Sequence, residues 1–169
     1  IVFGRMEQPL PRVEPYPEPE ALLAALGIER SLMPIERYDN GLQHTFVALG
    51  AEAEVAALRP DHSALAELRV MANCIAGSGA RWKTRMFAAF AGVDEDPATG
   101  SAAGPLAVHV CRHAGVAWNE WIEISQGAEI GRPSTLFARA DGDAGGIDGV
   151  FVGGRAVVVA RGEFHLGKG

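Results

Sequence analysis

From Thr99 to His113 the chain reads Thr-Gly-Ser-Ala-Ala-Gly-Pro-Leu-Ala-Val-His-Val-Cys-Arg-His. Wound into a helix, its apolar positions cover almost the whole circumference, and small residues crowd its start. A helix that is apolar all round has no face to offer water and must be buried. The rest of the chain therefore has to supply an enclosure, and this requirement limits the possible folds more than anything else in the sequence. Several short strand-like runs are available for it: Ile1–Met6, Tyr38–Leu49 around the hairpin dipeptide Asn40-Gly41, Asn73–Ile75, Thr84–Phe90, Trp121–Gln126, Thr135–Ala140, Gly149–Gly153 and Ala156–Arg161. Shorter helices are expected at Glu20–Leu26, stopped by Gly27, and at Glu52–Leu58 and Ser63–Met71. The expectation is an α+β fold in which a curved, barrel-like, mostly antiparallel sheet surrounds one buried helix.

The approach to that helix is as informative as the helix itself. Gly92-Val93-Asp94-Glu95-Asp96-Pro97-Ala98 places three acids and a proline just before Thr99-Gly100-Ser101-Ala102. Proline opens turns and helices readily because its φ is preset. Thr99 and Ser101 can cap the helix, and the free N–H groups of its first turn attract anions. Two uses of this segment stand side by side. In one, the N–H groups of Gly100, Ser101 and Ala102, with the Ser101 hydroxyl and Thr99, cradle a carboxylate while Asp96 contacts a neighbouring polar group. In the other, Asp96-Pro97 is an ordinary turn leading to an ordinary capped helix. Asp94 and Glu95 are weaker candidates, Glu95 as an orienter of the loop. Arg132, between Gly131 and Pro133, can clamp a carboxylate with its fork or tie two loops through their carbonyls. Gln126 can donate into the same region. His44 follows the Asn40-Gly41 turn and either faces this cleft or sits satisfied in a strand.

The run from Gly92 to Gly104 resembles the C-terminal signature of the PhzF-like family, the phenazine-biosynthesis isomerases and their relatives, and the match is most specific from Phe87 to Ser134. Further matches are Met6-Glu7-Gln8-Pro9, Ala25-Leu26-Gly27, Arg85-Met86-Phe87, Gln126-Gly127 with Gly131-Arg132-Pro133-Ser134, and Gly153-Gly154-Arg155-Ala156 with Arg161-Gly162-Glu163 as a closing hairpin. The resemblance implies one lobe of the diaminopimelate-epimerase-like fold. It also implies cofactor-independent acid/base movement of hydrogen in a small carboxylate-bearing substrate. Asp96 falls on the family's cleft aspartate. Thr99 stands where related epimerases have a catalytic cysteine, so a two-thiol racemase mechanism does not fit. Family members have two similar lobes, and their proposed acid/base glutamate lies in the first. The expectation is that residues 1–19 form a strand and a proline-rich connector, and that 20–169 form a single C-terminal lobe. The N-terminal lobe would then come from a separate chain or be missing from a fragment. The partner would be that lobe or a second copy in a homodimer. A non-catalytic carboxylate-binding subunit is the competing expectation.

Composition excludes several other classes. A formal net charge of −6 gives no basic stripe for nucleic acid. No apolar run is long enough to cross a membrane. Cys74 and Cys111 are too few for a disulfide framework and read as buried thiols, which suits a reducing, cytoplasmic setting. His109 and His113 can share a helix face, but cations also suit a helix C-terminus, and no metal is expected. Gly77-Ser78-Gly79-Ala80 lacks the lysine of a phosphate loop. Gly142–Gly149 has the wrong acidic spacing for a calcium loop and reads as a hairpin turn.

Overall fold

The computed structural model describes residues 2–163 and 165. Helix α4 (Gly100–His113) lies at its centre, and every residue from Ala102 to Cys111 is buried. Ten strands enclose it: β1 (Val2–Gln8), β2 (Arg12–Pro15), β3 (Glu36–Asp39), β4 (Gln43–Ala48), β5 (Met71–Ser78), β6 (Arg81–Ala88), β7 (Val93–Asp96), β8 (Ile122–Gln126), β9 (Ser134–Asp143) and β10 (Gly146–Ala156). They form one curled sheet in the order β1-β10-β9-β8-β6-β5-β4-β3-β2, with the short β7 paired to β6. The sheet is mostly antiparallel. Its two parallel pairs are β4 with β5 and β6 with β8. Parallel neighbours need a crossover. The first is made by α2 (Glu52–Ala57) and α3 (His62–Glu67), and the second runs through β7 and α4 itself.

Strand alternation sorts the side chains between two cores. Tyr38, Phe46, Ile75, Trp82, Ile122, Ile124, Ala138 and Val150 face α4. Val47, Ala72, Cys74, Ala76 and Phe87 face the opposite way, against α1 (Pro19–Leu26), α2 and α3. Small residues let α4 approach the sheet closely. At Gly104 a Cβ would overlap the side chains of Gln8 on β1 and Val150 on β10. Both cysteines are free and buried, one in each core. Burial pushes the Cys74 thiol up to about 12 and the Cys111 thiol up to about 11, so both are unreactive near neutrality.

The differences from the sequence reading have physical causes. Part of the proline-rich connector is recruited as edge strand β2 on β3, where Pro15 closes the strand. The third helix stops at Glu67, because Arg69 takes a positive φ and turns the chain into β5. β10 is continuous through Ala156, with Val150–Ala156 paired to β1, so no separate strand covers 156–161 and no closing hairpin forms; residues 157–163 are irregular. The Gly142–Gly149 segment is the β9–β10 turn, where Asp143 Oδ1 accepts from Gly145 N–H at 2.7 Å.

Candidate active site

The acidic loop is gripped from both sides. On one side, Arg85 on β6 makes a two-pronged pair with Glu95: Nε to Oε1 at 2.9 Å and Nη2 to Oε2 at 2.6 Å. The remaining nitrogen, Nη1, donates to the carbonyls of Val55, Ala56 and Leu58 at the end of α2. Glu95 thus orients the loop from the far side, and Asp94 is exposed. On the other side, Gln126 on β8 reaches across: its Nε2 donates to the Asp96 carbonyl (2.7 Å) and to Thr99 Oγ1 (2.8 Å), and its Oε1 accepts from Thr99 N–H (3.0 Å). Thr99 Oγ1 in turn donates to Asp96 Oδ2 at 2.5 Å. Thr99 sits at the N-cap position, but its hydroxyl is spent on Asp96 and does not cap the helix. Gly127 follows Gln126 at φ +83°, in contact with Pro97, where a Cβ would meet the Pro97 carbonyl.

The start of α4 narrows the anion cradle. Ala102 and Ala103 N–H both return to the Thr99 carbonyl, at 3.1 and 3.2 Å. Ala102 is buried, and its N–H is therefore not available to a ligand, contrary to the sequence expectation. Gly100 and Ser101 N–H have no partner among the described residues, and both residues are half-buried. The peptide planes that carry this turn are held from behind. Gln8 Nε2 donates to the Gly100 carbonyl and Asn40 Nδ2 to the Ser101 carbonyl, each at 2.9 Å. Pro105 explains the second bond: it lies four residues past Ser101 and has no N–H to give that carbonyl. Gln8, Asn40 and Asn73 were not singled out from sequence. The mid-helix proline was the one available signal, since it leaves a carbonyl needing another donor.

His44 is fully buried on β4, with Nε2 3.0 Å from Ser101 Oγ, so it belongs to the site. Burial lowers its pKa to about 4, although the nearby Asp96 carboxylate pulls the other way. Arg132 is exposed. Its N–H closes a turn onto the Gly127 carbonyl at 2.9 Å, and its guanidinium makes no hydrogen bond or ion pair among the described residues. The groove of about 620 Å³ between Glu123, Thr135, Phe137 and Arg155 meets the acidic loop only at Ala98 and is a separate feature.

His109 and His113 do meet on one helix face, together with Glu36 from β3, their ligand-type atoms within 4.8 Å of one another. The three serve as a staple. Glu36 Oε2 accepts from Tyr38 OH and pairs with His113 Nε2, both at 2.8 Å, while Tyr38 OH lies 3.1 Å from His109 Nδ1. Burial alone would raise the Glu36 pKa, but the hydrogen bonds from His109, His113 and Tyr38 bring it down to about 2. Two acid limbs of stability are expected. Between an ordinary 6.5 and about 4 the unfolded chain protonates His44 and the folded one does not, so stability falls with pH across that window and no further below it. The Glu36 contribution, complete above about 4.5, is lost as pH drops toward 2. Urea unfolding against pH will check this: His44→Gln should shrink the upper limb, which it shares with His109, whose pKa burial also lowers, and Glu36→Gln should shrink the lower, which it shares with Glu129 on its bond to Lys83.

A curled mixed sheet around a buried helix, with an acidic loop at the helix N-terminus, defines an epimerase-like α+β fold. Two solved structures share it. One is a PhzF-family phenazine biosynthesis protein from Bacillus anthracis (TM-score 0.76, 18% identity, 90% of this chain and 57% of that one). The other is a protein from Pseudomonas aeruginosa described as a predicted epimerase (TM-score 0.72, 26% identity, 98% and 59%). The model of the phenazine biosynthesis-like protein family matches residues 2–162, and this chain belongs to that family. Among its relatives, the trans-2,3-dihydro-3-hydroxyanthranilate isomerases of P. aeruginosa and Pseudomonas chlororaphis are 48% and 50% identical over 167 residues. Each match covers 98% of this chain and 60% of the relative, so the chain spans about three-fifths of their length. Among the described residues no helix is long and apolar enough to cross a membrane.

Proposed function

We propose that this chain carries the substrate-anchoring half of an isomerase that moves a hydrogen within a small carboxylate-bearing molecule by acid/base chemistry, without a cofactor. One observation carries the reading: the Asp96 carboxylate, two N–H groups without a partner among the described residues and the Ser101 hydroxyl stand together at the start of a buried helix. The N–H groups of Gly100 and Ser101, backed by the helix dipole, take the carboxylate. The names of the Pseudomonas relatives describe a ring bearing a carboxylate and an amino group on adjacent carbons. For this chain the same substrate class is the proposal, with Asp96 accepting a hydrogen bond from the amino group. Thr99 holds Asp96 in place, and the exposed Arg132 is assigned as a further contact for the carboxylate. The proton itself is moved by a glutamate outside this chain, from a first lobe.

Anthranilate is a stable ring with the same two groups. Titration of the chain with it is expected to show binding, and Ser101→Ala should weaken that binding by about 1–2 kcal/mol, the scale of a hydrogen bond to a charged group. Isomerisation should appear only when a family first lobe is added. Failure to bind anthranilate, or full turnover by this chain alone, would overturn the assignment.

A further inference from the structure

We propose that His44 is a positioning residue of the carboxylate cradle: set in orientation by Asn73, it donates to Ser101 Oγ and so leaves the serine proton free to point at the bound carboxylate. This rests on the carboxylate reading of Gly100 and Ser101.

The direction of the relay follows from the order of its contacts. Asn73 and His44 lie on neighbouring parallel strands β5 and β4, both fully buried. Asn73 Nδ2 faces two backbone carbonyls, Met71 at 3.1 Å and Thr45 at 3.4 Å. Carbonyls only accept, so this end of the amide is its NH₂. The same Nδ2 faces His44 Nδ1 at 3.5 Å. A ring nitrogen facing an NH₂ is the bare one, because two donors opposed in a buried site would repel. A neutral imidazole carries one proton, which is therefore on Nε2, and Nε2 stands 3.0 Å from Ser101 Oγ. Burial keeps the ring neutral at working pH despite the nearby Asp96. A hydroxyl has one proton and two lone pairs. With a lone pair engaged by Nε2–H, the proton of Ser101 is free for an anion, and the incoming bond strengthens the outgoing one.

The polarity is the reverse of a hydrolytic Ser-His-Asp triad. There the third residue accepts from Nδ1–H, and a bare Nε2 takes the serine proton. Here Nε2 already holds its proton and cannot act as that base. Ser101 is consequently an oriented donor and not a nucleophile. The two remaining amides complete the cradle: Gln8 and Asn40 fix the backbone on which the hydroxyl is mounted.

The ¹⁵N shifts of the His44 ring in the intact chain, free and titrated with anthranilate, test the relay directly. The expected result is a protonated Nε2 and a bare Nδ1 between pH 6 and 8, together with an anthranilate-dependent shift at the Ser101 amide. A double-mutant cycle supplies the second readout. His44→Leu should weaken anthranilate roughly threefold to tenfold when Ser101 is present, the scale of one hydrogen bond. The same change should have little effect in a Ser101→Ala background, an interaction that a merely structural histidine would not produce. If His44→Leu does not fold, the wild-type ring shifts still decide. A bare Nε2, or equal losses in both backgrounds, would overturn the relay whatever binds. An Nε2–H tautomer with no anthranilate response at Ser101 would instead overturn the carboxylate reading, and with it the role given to His44.

Discussion

Arg85→Ala is expected to lower the unfolding free energy by about 3–5 kcal/mol, the usual cost of removing one partner from a buried ion pair. The Arg85 and Glu95 side chains are each only 7% exposed, so neither charge has water to fall back on. The change also strips the last carbonyls of α2 of their donor and releases β7 from the body of the fold. For a chain of this size the melting temperature should fall by roughly 6–20 °C. Removing both charges is a different experiment. Arg85→Met with Glu95→Gln leaves no unpaired ion and should recover a good part of the loss. Urea titration of the three variants will check this. A deficit below about 1 kcal/mol in Arg85→Ala would mean that β7 is held by something other than this pair.

That pair also marks the limit of what could be read from the sequence. The buried helix was legible because burial leaves a pattern along the chain: a run from Ala102 to Cys111 with no polar face can only be enclosed. The Asn40-Gly41 hairpin and the stop at Gly27 were legible for local reasons, since each turn is decided by the residues within it. Asp96 and Ser101 could be named because turn, acid and helix start are adjacent in sequence. The groups that aim them are not adjacent. Gln8 reaches Gly100 across 92 positions, Asn40 reaches Ser101 across 61, and Gln126 reaches Thr99 across 27. A single amide in a strand carries no mark of its distant partner until strand order and register are known. The same blindness produced the strand expected at 156–161. Its valines have the right propensity, but a strand also needs a neighbour, and β10 is already paired on both sides. Ala102 was misplaced for a subtler reason. The first N–H groups of a helix are free in general, but here the Thr99 carbonyl takes the N–H of Ala102 beside its regular bond from Ala103.

Asp96→Asn is expected to reduce isomerase turnover by about 10–100-fold, the scale of one hydrogen bond between the substrate and a charged group, when measured with a family first lobe present. The substitution separates charge from architecture. Asp96 is half-buried at the loop and lies outside both apolar cores. Among the described residues its side chain bonds only as acceptor from Thr99 Oγ1, and the asparagine carbonyl oxygen can accept the same proton. The backbone carbonyl of residue 96 keeps its bond from Gln126 in either case. Stability should therefore change by less than about 1 kcal/mol, while the carboxylate that meets the substrate's polar group is gone. Thr99→Val gives the complementary result. It removes the strut and leaves the charge, so the carboxylate loses its aim, and turnover should fall less than in Asp96→Asn. If both variants lost turnover only in proportion to a loss of folded protein, Asp96 would be a structural turn residue. If Asp96→Asn kept full turnover with its fold intact, the carboxylate would have no part in the chemistry. A large fall in kcat on an unchanged unfolding curve is the outcome that assigns it one.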